Sequence, residues 1–201
     1  CYHSVMDKIK LEDFLEYSYL SGIKVTEYGT IFIKENVKKD KTGYDRNYWI
    51  IKDGEKAKQL TFDGKAGFFT VKDNSIYFLA KRSEEEKKDE GSSIIYALPL
   101  DGGEAHPAFK VDSPISTFDF ISDDTIIATK GVDKRTENLT DEEKKKIEKE
   151  LEGYEDIEEC GFYLNGEGYT NGRRNRLIYI KNGKCERVFD DDFSVDTFTL
   201  S

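Results

Sequence analysis

The chain has 201 residues, 37% of them hydrophobic and 36% charged, with 12 tyrosines, 13 phenylalanines and a net charge of −10. That length allows one domain with a real core or two small ones. The composition is too aromatic for disorder, no run is apolar enough to cross a bilayer, and the acidic balance argues against a nucleic-acid partner, which would want a basic face.

Residues 1–5, Cys-Tyr-His-Ser-Val, precede Met6, which reads as the natural start with the five residues an added leader. No basic stretch followed by an apolar core opens the chain, so no secretion signal is expected. Cys1, Cys160 and Cys185 are odd in number and form no CxxC, so neither a zinc site nor a disulfide framework is suggested. They read as reduced thiols, which together with the charge fits a cytoplasmic protein with no membrane partner. Residues 8–20 set Leu11, Phe14, Leu15 and Ser18 at helical spacing, the mark of a short amphipathic helix.

From Gly22 the pattern changes to short apolar runs separated by turns. "YWIIKDGEKAKQL" places an apolar run before Asp53-Gly54 and a second run ending at Leu60. The phrase returns around Asp101-Gly102, ending at Phe109, and around Asn182-Gly183, ending at Phe189. Asp-Gly and Asn-Gly tolerate the positive φ angles of a tight type I′ hairpin turn. Each hairpin is followed by an aromatic run, "AGFFTV", "STFDFI" or "DTFTL", and in the first two units by a further turn and strand. Gly54 and Gly102 are 48 residues apart, Gly102 and Gly183 are 81 apart, and the surplus of 33 marks an insertion. Four short antiparallel strands recurring at such a period are what a β-propeller blade needs. A sandwich would not repeat the same turn chemistry at a fixed phase.

The expected fold is therefore all-β: a partial β-propeller of about three four-stranded antiparallel blades and the start of a fourth. It carries a short N-terminal helix and one inserted helix. The blades fall near 22–64, 65–112 and 113–190, with the next beginning at 191–201, all within one incomplete domain, 6–201. Propellers close with roughly four to eight blades, so three and a fragment predict the front part of a longer protein. An open fan would expose blade faces and a strand edge, which favours association, including homo-oligomers.

Three segments fall outside the repeat. The charge run 81–93 reads as a solvated loop. Residues 139–160 read as an inserted helix, opened by a capping box of Thr140 and Glu143 and carrying the apolar pair Ile147 and Leu151. It is either an ornament on the rim or a docking element. Residues 161–177 interleave Phe162, Tyr163 and Tyr169 with Asn165 and Asn171, then add Arg173, Arg174 and Arg176. Aromatics beside arginines suit an anionic group or a peptide carboxylate; the plain alternative is a hairpin with solvated arginines.

No self-contained active site is visible. The chain has no GxSxG elbow, HExxH, phosphate-binding loop or GxGxxG, and "EGSSII" supplies no elbow. His3 lies in the leader, and His106 reads as an exposed strand residue. Asp190, Asp191 and Asp192 lack the spaced ligands of a calcium loop. No catalytic residue, metal or cofactor is assigned.

The ordered series "MDKIKLEDFLEYSYLSGIKVTEYGTIFIK", "YWIIKDGEKAKQLTFDGKAGFFTVKDNSIYFLAKR" and "IIYALPLDGGEAHPAFKV" resembles the prolyl oligopeptidase family, especially its acylaminoacyl-peptidase-like members. The insertion "LTDEEKKKIEKELEGYEDIEECGFYLNGEGYTNGRRNRLIYI" is the most specific part of that likeness. The resemblance implies an N-terminal propeller capping a C-terminal α/β-hydrolase domain that carries a Ser-Asp-His triad. The propeller would admit short peptides and exclude folded proteins. The hydrolase domain would lie beyond Ser201, so no catalytic residue is carried over, and Tyr163, Asn165, Arg173 and Arg174 are the candidates for lining the substrate side. The alternative is a stand-alone binding or scaffold propeller without enzymatic activity.

Overall fold

The computed structural model describes residues 8, 10–154, 157, 159, 171–189 and 193–200. Among the described residues, twelve strands form three four-stranded sheets, each built from consecutive strands in sequential order. The first holds β1 (Ser18–Thr26), β2 (Gly29–Val37), β3 (Tyr44–Ile51) and β4 (Lys58–Gln59). The second holds β5 (Phe69–Lys72), β6 (Ser75–Leu79), β7 (Ser93–Pro99) and β8 (His106–Val111). The third holds β9 (Thr117–Phe120), β10 (Thr125–Asp133), β11 (Arg173–Lys181) and β12 (Lys184–Val188). This is the blade pattern of a partial β-propeller. The chain divides into two compact units, one running to Phe78 and taking in Pro99–Gly103, the other comprising Leu79–Leu98 and Glu104 onward.

In the first unit, alternation along β2 and β3 sends Ile31, Ile33, Tyr48 and Ile50 inward. Phe69, Ile76 and Phe78 of β5 and β6 meet them. Tyr48 is the hub. Its ring lies 5.4 Å from that of Phe69 and 5.1 Å from that of Phe78, both in tilted or edge arrangements that suit aromatic quadrupoles. Its hydroxyl accepts from the Gly67 N–H at 3.1 Å and donates to the Gly67 carbonyl at 3.3 Å. Burial pushes its phenol up to about 12. On β1 the register shifts between Ser21 and Lys24, where Gly22 has φ +59. A Cβ there would stand 3.2 Å from the Phe69 ring, so glycine serves both the bulge and the close approach.

In the second unit, β10 and β11 pair over nine residues, from Thr125↔Lys181 to Asp133↔Arg173. Their inward face carries Ile126, Ala128, Ile178 and Ile180, all fully buried, beside Phe118 of β9.

The turns differ in a way the shared Asp-Gly and Asn-Gly phrase does not anticipate. Asn182 and Gly183 have φ 50 and 78 and join β11 to β12 as a two-residue turn of the expected kind. Gly54 and Gly102 also have positive φ, but Asp53 and Asp101 do not, and each sits in a six-residue connector, 52–57 or 100–105. The Lys52 carbonyl accepts from the Glu55 N–H at 3.0 Å, so the chain turns once there and then runs on before pairing.

The helical segments also differ in extent. The N-terminal helix is a 3-10 helix of five residues, Leu11–Leu15. Ser18, expected on its face, already belongs to β1, where pairing with Asn36 outweighs a one-turn helix. Run 81–93 contains a helix, α1 (Glu84–Lys88), rather than a bare loop. Ser83 caps the Glu86 N–H at 3.1 Å, and Glu86 accepts in return from the Ser83 N–H at 3.0 Å. Glutamates in the first turn and lysines in the last complement the helix dipole. The inserted helix α2 is Asp141–Glu150, shorter than the 139–160 expected. Its capping box stands: the Glu143 N–H donates to Thr140 Oγ1 at 3.3 Å and the Thr140 N–H to Glu143 at 2.8 Å. Replacing Thr140 with alanine is expected to cost α2 about 1 kcal/mol, read as faster hydrogen exchange at the Glu143 and Lys144 amides. Unchanged exchange there would refute the role of the cap.

Residues 193–200, read as the start of a further blade, form no strand. They are tied back at one place, where Val195 N–H donates to the Asn175 carbonyl at 2.8 Å and Asn175 N–H to Ser194 Oγ at 2.9 Å. A lone strand without sheet neighbours has no ladder to join.

Candidate functional site

Two of the candidate residues, Arg173 and Arg174, lie where the insertion that leaves β10 returns to begin β11. Asp133 and Arg173 close the ladder, and the Lys134 N–H donates to the Gly172 carbonyl at 2.9 Å across the neck of the insertion. Asn171 is fully buried at φ 33, its side-chain oxygen accepting from the Glu159 N–H at 3.3 Å. Gly172 follows at φ 81.

Three arginines at this end each have a carboxylate. Arg135 grips Asp133 through Nε at 3.0 Å and Nη2 at 2.7 Å. Arg174 Nη2 lies 2.9 Å from both oxygens of Glu159. Arg176, only 5% exposed, donates from Nη1 and Nη2 to the two oxygens of Glu137, 39 residues away in sequence. The Arg135 guanidinium, first, holds the Asp133 carboxyl below its usual range, with Arg173 adding its charge. Arg174, then the Gly172 N–H, does the same for Glu159. These are charge-assisted pairs of the strong kind.

Of the four residues expected on a substrate side, Arg173 is exposed at the start of β11. Arg174 is largely buried and engaged with Glu159, so the anion at its fork is supplied by the chain itself. Tyr163 and Asn165 lie outside the described residues, as do Asp190, Asp191 and Asp192. His106 is exposed on β8, with Nδ1 3.4 Å from the Glu104 carbonyl. Among the described residues no cluster of three or more His, Cys, Asp or Glu could hold a metal, and no helix is long and apolar enough to cross a membrane. The partners Glu137 and Glu159 were missed, because Glu137 lies 39 residues from Arg176 and Glu159 sits in an acidic stretch that gives no cue to one carboxylate over its neighbours.

The first sheet carries a second feature. The face opposite Tyr48 has an open hollow of about 310 Å³ lined by Ser18, Leu20, Phe32, Lys34, Trp49 and Ala57. The Lys34 ammonium lies 5.0 Å from the centre of the Trp49 ring, within cation–π range.

The sheets define the class as a partial β-propeller, and comparison with known proteins gives it a particular counterpart. No family model matches the chain, and no curated protein matches it. Acylaminoacyl peptidase in complex with Z-Gly-Gly-Phe-chloromethyl ketone superposes with a TM-score of 0.55 at 14% identity, over 89% of this chain and 26% of that one. The orthorhombic crystal form of Pyrococcus horikoshii acylaminoacyl peptidase gives the same figures. The uncomplexed P. horikoshii enzyme gives a TM-score of 0.52 at 13% identity. At this identity the likeness is one of fold. The chain spans about a quarter of the length of these peptidases.

Proposed function

We propose that this chain is the substrate-gating propeller portion of a cytoplasmic serine peptidase of the prolyl oligopeptidase type, which hydrolyses short or N-acylated peptides. The observation that carries the reading is the superposition of 89% of the chain on an acylaminoacyl peptidase of which it covers 26%. The nucleophile, base and acid belong to an α/β-hydrolase domain carried outside these 201 residues. The propeller's part is to admit extended peptides and turn folded chains away, with Tyr163, Asn165, Arg173 and Arg174 on the substrate side. In this reading the peptide carboxylate is met by Arg173, which is exposed, and Arg174 contributes through its hold on Glu159.

The test uses the full-length gene product. It should react with a fluorophosphonate probe and release p-nitroaniline from an N-acetyl-amino-acid p-nitroanilide at least about a millionfold above the uncatalysed rate. The 201-residue chain alone should do neither. A full-length product that neither labels nor cleaves, or that has no hydrolase domain after Ser201, would sink the reading and favour a binding or scaffold propeller.

A further inference from the structure

Among the described residues of the insertion between β10 and β11, the contacts to its sheet at both roots are ion pairs. Along β11 the buried face runs Ile180, Ile178, Arg176, Arg174, alternate residues on one side of the strand. The first two are covered by the hydrophobic core. The last two are covered by the insertion, Arg176 by Glu137 of its outgoing limb and Arg174 by Glu159 of its returning limb. The arginine side chains are 6% and 15% exposed and their carboxylates 25% and 41%, so the pairs are covered on the strand side and open to solvent and salt on the insertion side. No described residue of α2 is buried, and Ile147 and Leu151 are half-buried.

We propose that the two pairs, Arg176–Glu137 and Arg174–Glu159, form an ionic latch that fixes both roots of the insertion to the third sheet, and that releasing it frees α2 while the sheet stays folded. The inference does not depend on the peptidase reading. Arg176 is a buried charge whose pairing resists loss of Glu137, so its root holds while that carboxylate is charged. The β10–β11 ladder has its own nine-residue register and its own buried apolar face.

Hydrogen exchange on the full-length protein tests this. The double variant Glu137→Gln, Glu159→Gln should speed exchange of the amides of α2 and its C-cap, among them Lys144 and Leu151, by at least about tenfold, with β10–β11 amides changing less than about twofold. Ile147→Ala with Leu151→Ala, which removes the apolar contacts and spares the latch, should leave the amides flanking Glu137 unchanged. Raising salt in the wild type should move α2 in the same direction as the charge variant, and this arm needs no substitution. Unchanged α2 exchange in both the charge variant and high salt overturns the proposal. So does acceleration of β10–β11 equal to that of α2, which would make the pairs part of the sheet's own stability.

Discussion

Replacing Tyr48 with alanine is expected to destabilise the first unit by about 3–5 kcal/mol, the cost of removing a large buried ring and leaving a cavity. Tyr48 is 1% exposed and stands between Phe69 and Phe78, so its loss strips one side of both rings. Tyr48→Phe keeps the ring and deletes the hydroxyl that exchanges two hydrogen bonds with Gly67. Gly67 is exposed and water can replace them, so this variant should lose about 1 kcal/mol. Trp49, the single tryptophan, neighbours Tyr48 on β3, and its fluorescence reports this unit during denaturant unfolding. Equal midpoints for Tyr48→Ala and Tyr48→Phe would remove Tyr48 as the hub.

The same phenol makes a pH prediction. Its folded-state value is raised from 10.0 to about 12, because burial opposes the phenolate. The folded state therefore holds this proton more tightly than the unfolded state does. The associated stability is fully present below pH 10, falls as pH rises, and is gone once pH passes about 12. Two units correspond to about 3 kcal/mol. Tyr48→Phe cannot ionise, so its deficit against the wild type should shrink as pH rises through 10 and reverse at about pH 11. A constant deficit across that window would contradict the assignment.

The repeat was legible because it rests on local rules. Inward residues such as Ile31, Ile33, Tyr48 and Ile50, and Ile178 with Ile180, follow strand alternation, and Thr140 with Glu143 announces a helix start within four residues. The turns were half legible. Positive φ at Gly54, Gly102 and Gly183 follows from residue type, but whether two residues or six join the strands depends on where the partner strand begins. The ionic neck was not legible at all. Arg176 and Glu137 meet across 39 residues, and their pairing depends on the insertion folding back over β11. Arg174 was read as open to a ligand, and its partner Glu159 lies among acidic neighbours that look alike in sequence. Charge pairs set by tertiary path leave no periodic trace.

Gly183 is expected to be the least replaceable turn residue of the repeat. It has φ 78 next to Asn182 at φ 50, a pair of left-handed residues that a side chain disfavours by roughly 1–2 kcal/mol at the glycine. Gly54, at φ 72, carries the same conformational requirement. The two sites differ in space. A Cβ on Gly54 meets nothing within 4 Å, whereas one on Gly183 runs into the Lys110 carbonyl at the end of β8. The Gly183 carbonyl also accepts from the Asp112 N–H at 2.8 Å, so the β11–β12 turn is fastened to the strand leaving β8. Backbone cannot swing aside as a side-chain tip can, and relieving the clash must break that bond. Gly54→Ala should therefore cost about 1 kcal/mol and Gly183→Ala about 3 kcal/mol, the excess coming from overpacking and the lost hydrogen bond. Denaturant midpoints followed by far-ultraviolet circular dichroism give both values. Equal losses would mean that φ alone decides and that the contact between the turn and β8 is not maintained in solution. A larger loss at Gly183, with faster exchange at the Asp112 amide, would identify this turn as the clasp between the ends of β8 and β11.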